Sequence, residues 1–156
     1  PVTFRELYIG ELLWCGTKGF MFSFCVLFVI SCFGLVQYPL ALITPFFGFL
    51  NAVVFGIIGF FVCGLTKNIN NFNLYFTGIL TPMFFFSGTV FPITELPLFF
   101  QRIAWMFPMT HTVTLMRSCT TNNFHWGLLL HMGFLLLIAA PFAVFSYRRL
   151  KRRIIL

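Results

Sequence analysis

Three acidic side chains, three histidines and five cysteines are the carboxylates, imidazoles and thiols that this 156-residue chain offers for acid–base, nucleophilic or metal chemistry. Acid–base catalysis needs titratable groups converging on one substrate. Glu6, Glu11 and Glu95 form no such pair, and the first two fall in one short stretch near the start. Cys15, Cys25, Cys32, Cys63 and Cys119 are odd in number and contain no CxxC. Four of them lie in or beside apolar runs, where a thiol behaves as a small hydrophobe. No disulfide framework, metal site or cofactor is expected. HExxH, GxSxG and the phosphate loop GxxxxGK(S/T) are all lacking, so the chain carries none of those reactive centres and is not expected to be an enzyme.

The elements that hold these residues follow from composition. Apolar types make up 60% and charged types 8%, with 25 phenylalanines, whereas a soluble domain is about a quarter charged. Such a chain belongs in a membrane. No Asp, Glu, Lys or Arg occurs over residues 19–66, 68–94 or 118–147. A spanning helix needs roughly 20 apolar residues, so the first gap fits two spans and the others one each. Gln37-Tyr38-Pro39 divides the first. The expected fold is all-α: a membrane helical bundle with spans near 18–37, 45–66, 74–91 and 126–147.

Lys and Arg bias sets orientation. With four spans both ends share one side, which then holds Arg5, Lys18, Lys67 and the tail Arg148-Arg149-Leu150-Lys151-Arg152-Arg153 against only Arg102 and Arg117 opposite. Both termini are expected to be cytoplasmic. Residues 148–156 form a basic cytoplasmic tail that also suits anionic membrane lipids. Nucleic acid is not an expected partner, because the basic residues hug a membrane edge and no reading motif accompanies them.

Within this frame, residues 3–14 place Phe4, Leu7, Tyr8 and Leu12 at helical spacing, predicting a short amphipathic helix along the interface before the chain turns inward at Lys18. It reads either as an interfacial anchor with Trp14 at the headgroups or as a docking helix. In the second span Ala52, Gly56, Gly59 and Cys63 form a small-residue stripe suited to close helix packing; a substrate path is the other reading. Asn51 is expected to bond across helices. Residues 66–73 read as a cytoplasmic turn. His131 is either a packing residue or a proton relay. Because no span contains Asp or Glu, energy for any transport is expected to come from elsewhere.

Pro82, Pro92, Pro97 and Pro108 cut residues 82–125 into apolar pieces of about ten residues, too short to span and too greasy for water, as re-entrant segments read. The run Pro82-Met-Phe-Phe-Phe-Ser-Gly-Thr-Val-Phe-Pro-Ile-Thr-Glu-Leu-Pro97, followed by Pro108-Met-Thr-His-Thr-Val-Thr-Leu-Met-Arg117, closely resembles the signature of ABC type-2 transporter permeases. The similarity is strongest to the branch exporting nodulation factors, polysaccharides and drugs. Gly10-Glu-Leu-Leu-Trp14 leading to Lys18 also looks like this family's approach to its third span.

The resemblance covers nearly the whole chain and implies the last four spans of a six-span permease. It implies that residues 3–14 couple to a separate cytoplasmic ABC ATPase through Phe4, Arg5, Glu6, Leu7 and Glu11. It further implies that 93–119 is a pair of short re-entrant helices on the outer side. Ser87, Gly88, Pro92, Thr110, His111 and Arg117 would then wall the outer pathway; alternatively, His111 and Arg117 satisfy carbonyls freed at Pro108. A second permease copy, or a homologue, would complete the pore in a bacterial inner (plasma) membrane. The expected function is ATP-driven export of an amphipathic, lipid-linked, polysaccharide or drug-like substrate. A channel or scaffold subunit not driven by ATP remains the competing class. On this topology, Cys119 is expected to react with thiol reagents from outside.

Overall fold

The computed structural model describes residues 2–36, 39–66, 68–122 and 126–155, except for the side chains of 69 and 153–155. Pro1, the Gln37-Tyr38 divider, Lys67 and Asn123 of the sequence reading lie outside the described residues, as does the side chain of Arg153. Every regular element described is helical: α1 (Phe4–Cys32), α2 (Thr44–Leu65), α3 (Ile69–Tyr75), α4 (Thr81–Phe86), α5 (Leu98–Met106), α6 (Pro108–Thr120) and α7 (Gly127–Ile155). Three stretches are long and apolar enough to cross a bilayer, Phe4–Cys32, Leu40–Leu65 and Gly127–Arg152.

α1 corrects the expected turn at Lys18. Thr3 and Glu6 cap its start, the Thr3 amide donating to Glu6 Oε2 at 2.7 Å, and no proline interrupts the helix before Cys32. Its 29 residues make one rod about 43 Å long at roughly 1.5 Å per residue. The charged residues at 5–18 mark where a membrane edge could fall, and nothing requires a helix to stop there. Its end also differs from the expected Gln37. Gly34, at φ +68°, closes the helix with Gly34 N–H on Ser31 O and Leu35 N–H on Ile30 O, the paired bonds of a glycine C-terminal cap.

α1 and α2 run antiparallel in close contact. A Cβ on Gly48 would strike the Ser23 side chain and lie 2.9 Å from Gly19 O, and one on Gly19 would strike Ala52 and lie 2.6 Å from Gly48 O. Gly56 follows two turns on, against Cys15. Small residues permit this approach where lipid supplies no hydrophobic drive. The expected stripe is thus half right: Ala52 and Gly56 pack on α1 with Gly48, whereas Gly59 meets nothing within 4 Å and Cys63 is exposed.

α7 runs beside α2 in the same direction, with Phe61 and Phe142 edge to face at 5.0 Å and Gly64 against Arg149. It extends beyond the expected 147, through the basic residues. The start of α1 meets the end of α7: Tyr8 and Ser146 hydroxyls are 2.6 Å apart, and Phe4 stacks tilted on Tyr147 at 5.2 Å. Val54 and Ile57 of α2, Leu115 of α6, and Leu128, Leu135 and Ala139 of α7 form the core. No phenylalanine among the described residues is fully buried.

The span expected over 74–91 does not form as one α-helix. α3 passes into a π-helical segment, Phe76–Leu80, and then α4, ending at Phe86. Pro82 has no N–H for Gly78 O and its ring crowds that carbonyl; the widened turns accommodate it. The Thr81 N–H and Oγ1 both donate to Phe76 O.

Candidate functional site

Beyond α4 the chain turns at Ser87-Gly88, with Gly88 at φ +84°. A Cβ there would lie 2.9 Å from Ile93 Cγ1, so both backbone angle and space demand glycine. Ser87 Oγ donates to Phe84 O at 2.8 Å, which leaves Thr89 Oγ1 to donate to Ser87 Oγ at 2.8 Å. Arg117, from α6, reaches across and donates through Nη2 to Gly88 O at 3.1 Å. Pro92 is exposed and opens the 3-10 turn Ile93–Glu95, accepting from Glu95 N–H at 3.1 Å.

The break between α5 and α6 has a separate bonding system. Pro108 cannot donate to Ala104 O, and Thr110 Oγ1 takes up that carbonyl at 2.5 Å. His111 Nε2 lies 2.9 Å from Trp105 O, a pure acceptor, so this nitrogen carries the proton. His111 Nδ1 and His131 Nδ1 lie 2.7 Å apart, so one of these two nitrogens donates to the other. Phe134 packs on His111 at 4.0 Å between centroids, and Trp105 stacks on His131. His131 thus packs and bonds as part of a cluster tying the α5–α6 corner to α7. His111 also serves a carbonyl beside the Pro108 break, one of its two expected roles.

Two cavities flank α6. The larger, about 810 Å³, lies between α2, the π-helical segment, α4 and α6; Phe55, Phe76, Phe84 and Met116 line it, with Arg117 on its wall. The smaller, about 390 Å³, is lined by Ser87, Gly88, Ile93 and Arg117 among others. Of the six residues expected along a pathway, Ser87, Gly88 and Arg117 therefore come together. Pro92 lines neither cavity, and Thr110 and His111 are buried in helix packing. Sequence reading missed Thr112, which donates to Asn51 Oδ1 at 2.8 Å on the wall of the larger cavity. The lone amide of α2 was its signal, and the expected cross-helix bond of Asn51 is this one.

At the opposite end, the candidate docking residues divide by contact. Phe4 and Arg5 turn toward α7, Arg5 Nε donating to Tyr147 Oη at 3.4 Å. Glu6 is held in the cap, while Leu7 and Glu11 are exposed. Lys18 lies over the Trp14 ring at 5.0 Å. Among the described residues no three His, Cys, Asp or Glu side chains gather as a metal site would require.

Residues 8–120 match the family model for the ABC-2 type transporter. The chain is 29% identical over 154 residues to nodulation protein J of Sinorhizobium fredii (strain NBRC 101917 / NGR234), covering 99% of this chain and 59% of that protein. It is 30% identical over 154 residues to nodulation protein J of Rhizobium leguminosarum bv. viciae, covering 98% and 59%. The counterpart in Rhizobium meliloti (strain 1021) is 29% identical over 155 residues, covering 98% and 58%. The chain thus spans about three-fifths of the length of the curated relatives it matches. No solved structure matches it.

Proposed function

Because the chain belongs to the ABC-2 type transporter family, we propose that it is permease material of an ATP-driven exporter. It would carry an amphipathic, lipid-linked, polysaccharide or drug-like substrate outward across a bacterial inner membrane. A separate cytoplasmic ATPase subunit would hydrolyse the ATP, and a second permease copy or homologue would close the pore. The similarity to nodulation proteins agrees with the branch that the signature over 82–117 resembles.

The observation that carries the reading is the build of the first turns of α1. Phe4, Tyr8 and Arg5 clamp α1 to α7, while Leu7 and Glu11, on the flank of the same helical stripe, stay exposed. A motor pressing on that exposed flank would act on a continuous helix ending at Cys32. A push at the cytoplasmic end thereby reaches the far end of α1 without passing through a loop. The segment 69–86 would be the remaining span, and α5 and α6 the re-entrant pair on the outer side.

Charge reversal at the docking face tests this. Glu11→Lys is expected to lower co-purification with the cognate ATPase about fivefold or more, as reversal of a rim charge at an interface does, with membrane insertion unchanged. Glu6→Lys should act similarly but also loosen the α1 cap. ATPase capture at the wild-type level by Glu11→Lys would sink the docking assignment.

Topology is tested by thiol labelling. Cys119 is only 1% exposed, so the reaction expected of it from sequence is replaced by one at the exposed neighbour Thr121. Impermeant reagent is expected to label Thr121→Cys from outside and to miss Asn70→Cys. Labelling of Asn70→Cys instead would invert the orientation.

A further inference from the structure

Arg117 is an exposed cation at the mouth of an apolar space. It stands one turn from Thr121 near the end of α6, and lines a cavity whose other wall is Asn51 and Phe55, residues within the apolar stretch Leu40–Leu65. The cavity therefore leads from a charged rim into the apolar part of the bundle, the layout of a lipid headgroup above its chain. Among the described residues Arg117 forms one hydrogen bond, to the neutral Gly88 carbonyl, and no ion pair. Of the three acids, Glu6 and Glu11 sit on α1 beside the Tyr147 end of the bundle, and Glu95, exposed in the turn after Gly88, makes no ion pair with Arg117 among the described residues. The guanidinium has five N–H donors and suits a bidentate anionic oxygen pair.

The rest of the cavity is apolar. Phe55, Phe76, Phe84 and Met116 wall it, and Phe76 and Phe84 are themselves exposed, so it opens at the side of the bundle. Its volume of about 810 Å³ falls within the roughly 300–1,000 Å³ of ordinary ligand sites. A free inorganic anion would leave these walls uncovered, and in a zwitterionic lipid such as phosphatidylcholine the quaternary ammonium already offsets the phosphate, so only an anionic lipid brings Arg117 a net counter-charge.

We propose that this cavity binds one anionic phospholipid, its phosphate on Arg117 and an acyl chain along Phe55, Phe76, Phe84 and Met116. The lipid fills the space between the 69–86 segment and α2 and supplies the counter-charge the helices lack. This assignment is independent of the ATP-driven reading, since it requires only that the chain reside in a bilayer.

The test is lipid enrichment. The protein is reconstituted in nanodiscs of phosphatidylglycerol and phosphatidylcholine in equal parts, re-extracted in mild detergent, and its retained lipid quantified by mass spectrometry. Wild type is expected to retain phosphatidylglycerol preferentially. Arg117→Gln should reduce that preference about tenfold, the worth of a charge-assisted bond, and Arg117→Lys should keep most of it. Because Arg117 also holds Gly88, a second variant leaves the guanidinium in place: Met116→Trp, which fills the cavity and should expel the lipid. Neutralising Arg148, Arg149 and Lys151 together should leave the preference intact. Wild-type enrichment in Arg117→Gln and Met116→Trp would overturn the proposal. So would loss confined to the tail variant, or a Met116→Cys crosslink to a second copy of the chain in place of lipid.

Discussion

Gly48→Ile is expected to separate α1 from α2 and to lower the melting temperature in detergent more than any other single change at a helix contact. The new side chain would meet Ser23 and the Gly19 carbonyl. Backbone cannot rotate aside as a side chain can, so the helices must move apart. Overpacking costs about 1–3 kcal/mol, sometimes more, and a clash with backbone belongs at or above the upper end. The Ser23 to Thr44 carbonyl bond at 3.3 Å would stretch with it. Gly59→Ile adds the same side chain to the same helix where a Cβ meets nothing within 4 Å, and should be nearly silent. Both changes raise hydrophobicity and favour insertion, so a difference between them reports packing alone. Equal melting temperatures for the two variants would refute the close crossing.

The histidine cluster gives the second large effect. His111→Leu removes the donor to Trp105 O and the partner of His131 Nδ1. A buried polar group deprived of its partner costs about 1–3 kcal/mol, so two such losses place the change at about 2–6 kcal/mol. His131→Leu should cost less, since His111 keeps its bond to Trp105. Replacing both removes the mismatched pair together, and the double variant should be more stable than the two single costs added. The coupling read from that cycle is expected to be about 1–3 kcal/mol. Strict additivity would show that the imidazole pair contributes nothing beyond packing.

These two sites mark where sequence stopped being informative. The helical membrane class was legible because uncharged runs of spanning length are scarcely ambiguous, and α2 forms over Thr44–Leu65 where 45–66 was expected. The corner at Pro108 was legible for a covalent reason, the absent amide hydrogen. The phase of the small-residue stripe was not: which face of α2 meets α1 depends on Gly16 and Gly19 of the other helix, and one helix read alone does not reveal its partner. His111 and His131 stand 20 positions apart, each bland by itself, and only the return of α7 unites them. The π-helical turns were invisible because proline announces a disturbance without saying how it is absorbed. α1 was cut short at Lys18 by treating charge as a stop signal, when only backbone chemistry stops a helix; at its other end that signal was Gly34.

The absence of buried phenylalanine among the described residues carries a practical corollary. Rings such as Phe22, Phe28, Phe33 and Phe145 face outward, while Gly19, Gly48, Ala52, Thr112 and Ser146 sit at helix contacts. Solvent compatibility and assembly are thus written on different residues. An exterior repainted with glutamine, glutamate and lysine at the ring positions would keep every contact that joins α1, α2, α6 and α7. This chain is therefore a tractable starting point for a water-soluble analogue, with its own interior left untouched.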